Sequence, residues 1–421
     1  MNKNFVLKGN IITSESKNTL KAVKNSYLVC EDGVITGVYQ TLPEKYNNLE
    51  ILDYNDKIII PAMTDLHIHA PQYAFRSLGM DLELLDWLNT YTFPEESKYS
   101  DLCYAENAYK NFVNALSKSS TSRACVFATM HNKATEILMD MLDKTGLITL
   151  VGKVNMNRNS IETLCEKDAK TSIEDTKSWI DNVKHLKNCK PILTPRFTPS
   201  CTDDLMSMLG ELKNKTGLGM QSHLDENKGE IEWVKSLCPD AENYADTYYK
   251  AGLLGENSVL AHCVYCDDNE IELLKRTKTY IAHCPQSNMN LASGIAPIRY
   301  YLDNGLNMGL GSDIAGGANI SMFRAITDAI GMSKLYWRII DENTKPLCFA
   351  ESFYLATAGG GSFFGKVGKL ESGFACDVLV LDDSSLENRE GLSLTDRLER
   401  IAYQLEDKAI YAKFVNGNNI I

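Results

Sequence analysis

The chain has 421 residues, 44% of them hydrophobic and 23% charged, with a formal net charge of −12 at pH 7. It is long enough to bury a large core, and its composition is that of an ordinary globular protein. The negative charge argues against nucleic acid as a partner, because phosphate backbones bind to basic surfaces. No apolar run reaches the roughly 18 residues of a membrane helix, and the first residues lack the apolar region of a signal peptide. The 12 cysteines are too sparse for a disulfide scaffold, so we expect a cytoplasmic protein with reduced thiols.

The two ends of the chain differ from its middle. Residues 1–57 and 371–421 read as short strands separated by turns, and we expect them to build one small β-sandwich domain together. Within residues 58–370, a strand-like segment followed by an amphipathic stretch recurs. The segments are KIIIPAMTDLHIH, SRACVFATMH, LITLVGKVNM, PILTPRF, LGMQSHLDE, SVLAHCV, TYIAHCP and LNMGLGSD. This alternation predicts an α/β fold with a (β/α)8 TIM-like barrel, whose active site lies at the C-terminal strand ends.

Metal-ligating residue types stand at these strand ends. His67 and His69 end the first strand and share a face, because side chains alternate along a strand. His223 ends the fifth strand, His262 the sixth and Asp313 the eighth. Three of these imidazoles together with the carboxylate form a set suited to one Zn²⁺ or Fe²⁺. Each residue alone also fits a polar rim, a buried histidine or a helix cap, but their common placement favours a metal site.

Other signals are weaker. Cys263 and Cys266 form a CxxC pair, but the H-x-E and P-C-x-x-C motifs of another zinc deaminase fold are missing. The segment GGSFFGKV nearly spells a phosphate-binding loop, yet its last position, Val367, has no hydroxyl for Mg²⁺. His131 and His283 also lie at strand ends and are candidates for lining the pocket.

Several longer motifs carry a resemblance. The segments PAMTDLHIHAPQY, LLDWLNTYTFPEE, TPRFTPSC, SHLDENKGEIE, IAHCPQSN and GLGSDIAGG resemble the guanine deaminases of the amidohydrolase superfamily. The likeness extends from about residue 58 to residue 370, and the flanks match the family's small β domain only in outline. One departure is Asp225, where we expect a small polar residue. A second negative charge there is expected to raise the pKa of its neighbour Glu226.

The resemblance implies a role for each matching residue. The metal ligands are His67, His69, His223 and Asp313, which would hold one divalent metal ion per subunit, Zn²⁺ or else Fe²⁺. The catalytic residues are Glu226, His262 and Asp313. The substrate-binding residues are His69, Gln72, Arg196, Phe197, His223 and Glu226. The implied reaction is hydrolysis of guanine to xanthine and ammonia in purine catabolism or salvage, by a homodimer.

Two alternatives stay open. Guanine presents O6 and N7 as acceptors, which suit Arg196 as a two-pronged donor, but the same scaffold also suits pterin, cytosine, triazine or adenosine-type substrates. Comparing the turnover of guanine with that of those compounds would show which of them is the substrate. The other alternative is a barrel without catalysis that works by assembly, and it would be isolated without stoichiometric metal.

Overall fold

The computed structural model describes residues 3–421. Its strands are β1 (Phe5–Ser16), β2 (Thr19–Glu31), β3 (Val34–Tyr39), β4 (Glu50–Pro61), β5 (Met63–His69), β6 (Thr121–Phe127), β7 (Ile148–Gly152), β8 (Val154–Asn155), β9 (Cys189–Pro191), β10 (Thr194–Pro195), β11 (Met220–Leu224), β12 (Ser258–His262), β13 (Tyr280–His283), β14 (Met308–Leu310), β15 (Val378–Leu381), β16 (Ile410–Val415) and β17 (Asn418–Asn419). Each of the eight segments predicted as barrel strands contains a strand.

Helices follow most of these strands. They are α1 (Leu84–Trp87), α2 (Phe93–Ser97), α3 (Leu102–Lys118), α4 (Asn132–Thr145), α5 (Ala169–Asn182), α6 (Asp203–Thr216), α7 (Lys228–Leu237), α8 (Tyr244–Lys250), α9 (Asp268–Thr277), α10 (Pro285–Asn290), α11 (Ile298–Asp303), α12 (Met322–Leu335), α13 (Phe349–Tyr354) and α14 (Leu394–Arg400). Helices α4 and α6 end where Gly146 and Gly217 adopt positive φ angles of 83° and 71°, a backbone conformation that glycine tolerates best. Among residues 3–421, no helix has the length and apolar character needed to cross a membrane.

The middle of the chain forms two arcs of parallel strands. One arc has the order β5-β6-β7-β9 and the other β11-β12-β13-β14. At one seam, the backbone N–H of His69 donates to the carbonyl of Ile314 at 3.0 Å, and that of Asp313 donates to the carbonyl of His67 at 2.8 Å. At the other seam, Leu193 and Met220 form a parallel bridge. Every residue of β5 and β6 is buried, as expected for parallel strands covered by helices.

The two ends of the chain meet in one sheet. Its seven strands have the order β17-β16-β15-β4-β1-β2-β3, so strands from both termini are hydrogen-bonded neighbours. The sheet is fixed to the arcs by a buried ion pair in which Arg123 Nε donates to Asp377 Oδ2 at 2.6 Å. Both termini therefore build a common sheet, as the sequence predicts. Its division into sandwich layers and the domain boundaries at 57 and 370 stay predictions.

Candidate active site

A cleft opens at the C-terminal ends of the parallel strands. Its lining residues are His69, Gln72, Leu84, Trp87, Leu88, Arg196, Phe197, His223, Glu226, His262, Leu291 and Asp313. These include all but one of the residues that the sequence assigned to the site. The remaining one, His67, is 1% exposed, and its ring contacts that of His69 edge-on with centroids 4.8 Å apart. The structure therefore brings the whole predicted set together.

Four side chains converge on one point of this cleft. The Nε2 atom of His69 lies 3.1 Å from Nε2 of His67 and 3.2 Å from Nε2 of His223. Asp313 Oδ1 lies 3.2 Å from Nε2 of His67 and 3.5 Å from Nε2 of His69. Four ligands about 2.0–2.1 Å from a tetrahedral Zn²⁺ lie about 3.3 Å from one another. These four distances therefore agree with the separations expected around a single divalent ion.

The local sequence explains how these donors are aimed. His67 and His69 are two residues apart on β5 and so point to the same side. His223 Nδ1 lies 2.6 Å from the carbonyl oxygen of Arg196, so Nδ1–H donates to that oxygen and Nε2 keeps its lone pair for the cleft. A hydrogen bond of this kind typically fixes the tautomer of a metal-binding histidine.

The electrostatics of the set favour neutral imidazoles and an ionised carboxylate. Burial lowers the pKa of His67, and it lowers those of His69 and His223 far below the ordinary value. Burial opposes ionisation of Asp313, but the neighbouring imidazoles, His67 first, outweigh it and lower the pKa of the carboxyl. Neutral imidazole and ionised carboxylate are the forms that bind a metal ion.

Glu226 and His262 stand beside this set. His262 Nε2 lies 3.4 Å from Glu226 Oε2 and 3.7 Å from Asp313 Oδ2. Burial raises the pKa of Glu226 to about 7. Burial opposes protonation of His262, but the carboxylates of Glu226 and Asp313 outweigh it and raise the pKa of the imidazole. A carboxyl group that titrates near neutrality is suited to general acid–base chemistry.

The start of α7 positions Glu226. Asn227 and Glu230 form a capping box at this helix end, and Glu230 Oε2 accepts a hydrogen bond from the backbone N–H of Glu226 at 3.0 Å. The hydroxyl of Ser293 donates to Glu226 Oε1 at 3.0 Å. The segment DENKGE therefore places the carboxylate at the cleft through an ordinary helix-capping motif.

Asp225 has surroundings of its own. One oxygen of its carboxylate lies within 4.8 Å of ligand atoms of Cys266 and Glu270. The pKa of Asp225 is raised well above its ordinary value by burial and then by Glu270. Besides burial, the carboxylates that raise the pKa of Glu226 are those of Asp313 and Glu230. Asp225 is therefore not one of the principal causes of that shift.

Two further histidines have no visible part in the cleft. His131 and His283 both lie outside its lining. Burial lowers the pKa of His283 to about 3, and within residues 3–421 neither of its ring nitrogens has a hydrogen-bond partner. Their role as pocket residues stays a prediction.

Sequence reasoning missed four residues that hold the site in place. Asp65 accepts hydrogen bonds from the segments that carry His67 and Asp313, and Ser293 donates to Glu226. Asn288 Oδ1 lies 2.9 Å from Nδ1 of His262. Glu96 accepts from two of the residues assigned to substrate binding. Asp65, Glu96 and Asn288 are polar residues within the motifs TDLHIH, YTFPEE and PQSN. These motifs do not indicate which residues their side chains hydrogen-bond.

Comparison with known proteins identifies the family to which this chain belongs. The chain belongs to the amidohydrolase family, whose model matches residues 58–420. It is 37% identical to a guanine deaminase from Dictyostelium discoideum, over 99% of this chain and 98% of that protein. It is 31% identical to a guanine deaminase from Escherichia coli K12, over 96% and 92% of the two chains.

A solved structure is similar over the whole length. The crystal structure of guanine deaminase from C. acetobutylicum, with guanine bound in its active site, is 45% identical in sequence and has a TM-score of 0.97. The match covers 99% of this chain and 100% of that one. The amidohydrolase fold is therefore shared along the full chain.

Proposed function

We propose that this protein is a guanine deaminase that hydrolyses guanine to xanthine and ammonia. The observation that carries the proposal is the convergence of His67, His69, His223 and Asp313 in the same cleft as Arg196. The relatives that match nearly the whole chain are guanine deaminases, and one of them binds guanine in its active site.

The four converging side chains would hold one divalent ion, Zn²⁺ or Fe²⁺. Their donor separations fit a single ion, and their tautomers and charges suit one. When bound, such an ion lowers the pKa of a water ligand from about 15.7 to about 7. A ring nitrogen of His262 also lies within 4.8 Å of ring nitrogens of His67 and His223. We assign His262 to hydrogen bonding with the attacking water, because its ring is already near the carboxylates of Glu226 and Asp313.

Two carboxylates divide the proton transfers. Asp313 is ionised and accepts a proton from the water that attacks C2 of the purine. Glu226, whose pKa is raised to about 7 by burial, holds a proton that it gives to the adjacent ring nitrogen. It then takes the proton of the new C2 hydroxyl and passes it to the exocyclic amine. Ammonia leaves as the C2–N bond breaks and the C2 carbonyl forms, and the proton held by Asp313 returns to Glu226. Well-placed general acid–base groups contribute about 10²–10⁴-fold each.

The other side of the cleft recognises the purine ring. Arg196 and Gln72 present N–H groups, which suit the acceptors O6 and N7 of guanine. Phe197 is 7% exposed and offers an aromatic face. Trp87 also lines the cleft, so the first part of the LLDWLNTYTFPEE segment borders the site.

The remaining proposals concern the assembly. We infer that the two parallel arcs close into a (β/α)8 barrel over residues 58–370, with the terminal sheet as a small β-sandwich domain formed by residues 1–57 and 371–421. We also propose that the protein is a cytoplasmic homodimer active in purine catabolism or salvage. Analytical ultracentrifugation of the purified chain would test the dimer.

The function is tested by following ammonia and xanthine formation from guanine before and after chelation. Activity that disappears on chelation and returns with Zn²⁺ or Fe²⁺ is expected. The variant His67→Ala should lose both metal and turnover, whereas His185→Ala, at a residue whose side chain is 68% exposed, should keep both. Metal-replete protein that leaves guanine unchanged but deaminates cytosine, adenosine or a pterin would overturn the proposed substrate.

A further inference from the structure

A carboxylate outside the cleft joins two of the side chains proposed to bind the substrate, Gln72 and Arg196. Glu96 is 2% exposed and is absent from the lining of the cleft. Its Oε2 accepts from Arg196 Nη1 at 2.5 Å, and its Oε1 accepts from Arg196 Nη2 at 3.2 Å and from Gln72 Nε2 at 3.0 Å. The same carboxylate thus holds the guanidinium and the amide in one arrangement.

The side-chain amide of Gln72 has only one orientation that satisfies its neighbours. Its Oε1 accepts from the backbone N–H of Ala315 at 3.0 Å, while one N–H of Nε2 donates to Glu96. A flipped amide would place its oxygen against the carboxylate and its NH₂ group against the N–H of Ala315. The oxygen therefore already accepts one hydrogen bond from the backbone, and the N–H of Nε2 that does not face Glu96 is left for a ligand.

The hydrogen-bonding groups of Arg196 are also restricted by Glu96. A guanidinium has five N–H groups and no acceptor, and two of the five are directed at Glu96. The remaining groups are donors. The carboxylate also balances the charge of Arg196, which is 3% exposed, so a neutral heterocycle can bind without leaving a buried cation unpaired.

We propose that Glu96 is a positioning residue that sets substrate specificity, because it fixes the amide of Gln72 and the guanidinium of Arg196 so that the ring-binding end of the cleft is a surface rich in hydrogen-bond donors. This inference rests on the proposed function. Such a surface accepts a heterocycle whose facing edge carries oxygen or unprotonated nitrogen, as O6 and N7 of guanine do. It rejects a ring that presents an exocyclic amine at that edge, since two donors would then face each other.

The test compares two adjacent glutamates. Glu96→Gln removes the carboxylate that binds Gln72 and Arg196. Glu95→Gln is the matched control, because Glu95 is also buried but pairs with Lys98 and Tyr104 instead. The substrates are guanine and 2,6-diaminopurine, which keeps the reacting amine at C2 but carries an amine in place of O6.

We expect Glu96→Gln to raise the KM for guanine by about 10- to 100-fold, with a smaller change in kcat. The ratio of kcat/KM for guanine over 2,6-diaminopurine should fall at least about 10-fold. Glu95→Gln should leave KM and the ratio at their wild-type values. Equilibrium dialysis of guanine against metal-stripped protein should show the same weakening of binding in Glu96→Gln alone.

The outcomes separate the two proposals. Wild-type protein that neither deaminates nor binds guanine overturns the proposed function. Active wild type with an unchanged substrate ratio in Glu96→Gln overturns the inference about Glu96 alone, as does an equal effect of Glu95→Gln. If Glu96→Gln does not fold, Glu96→Asp keeps the charge beside Arg196 but shortens the reach to Gln72. The same fall in the ratio is expected there, and its absence refutes the inference.

Discussion

Asp65 connects β5, which carries His67 and His69, to the turn that carries Asp313. Its buried carboxylate accepts hydrogen bonds from the backbone N–H of His67 at 3.1 Å and from the backbone N–H and hydroxyl of Ser312 at 3.0 Å and 2.5 Å. We predict that Asp65→Ala destabilises the protein and lowers its metal content, because these donors then lack an acceptor and the two segments lose their common anchor.

The magnitude follows from the number of donors. The hydroxyl of Ser312 is able to rotate toward another acceptor, which leaves two backbone N–H groups without one. A buried donor without an acceptor costs about 1–3 kcal/mol. The free energy of unfolding should therefore fall by about 2–6 kcal/mol in Asp65→Ala. Asp65→Asn keeps one acceptor oxygen and should lose about 1–2 kcal/mol.

Urea unfolding and bound-metal analysis measure the two effects. Thr64→Val is the matched control, since Thr64 is adjacent and equally buried but its hydroxyl has no hydrogen-bond partner among residues 3–421. The control should retain wild-type stability and metal content. An Asp65→Ala protein within about 1 kcal/mol of wild type, or a control that is damaged as much, would refute this account of Asp65.

Three further changes test other parts of the molecule. Glu226→Gln should lower kcat for guanine by about 10²–10⁴-fold while metal content stays at the wild-type level; retained turnover would exclude it as the proton carrier. Asn288→Leu removes the acceptor at Nδ1 of His262 and should lower kcat by about 10- to 100-fold with little change in KM, which steady-state kinetics would measure. Burial lowers the pKa of Lys413 from 10.5 to about 7, so the unfolded chain binds the extra proton between these values and stability rises with pH in that window. Relative to Lys413→Met, wild type should therefore gain roughly 2–3 kcal/mol between about pH 6 and about pH 9 in urea unfolding. The exposed Lys215→Met should show no such trend.

The sequence predicted the strands and the residues at their ends because both depend on local patterns. Apolar runs ending in HIH, SHLDE, LAH and GLGSD correspond to β5, β11, β12 and the end of β14, and parallel strands bring such ends together. Contacts between segments far apart in the sequence could not be predicted from it. The side-chain oxygen of Gln72 accepts from the backbone N–H of Ala315, 243 residues away. Nothing in the sequence pair Glu95–Glu96 indicates which side chain faces Arg196.

The residues proposed to bind the metal ion and those proposed to bind the purine are joined through the backbone as well as sharing a cleft. The carbonyl of Arg196 orients His223, while its guanidinium is held by Glu96. Gln72 follows His69 by three residues, at the start of the turn that leaves β5. A shift of either segment that changed the fit to the purine would therefore also move a metal-binding imidazole. Specificity is more readily altered through Glu96, which contacts the binding groups through side-chain atoms only and touches none of the four converging donors.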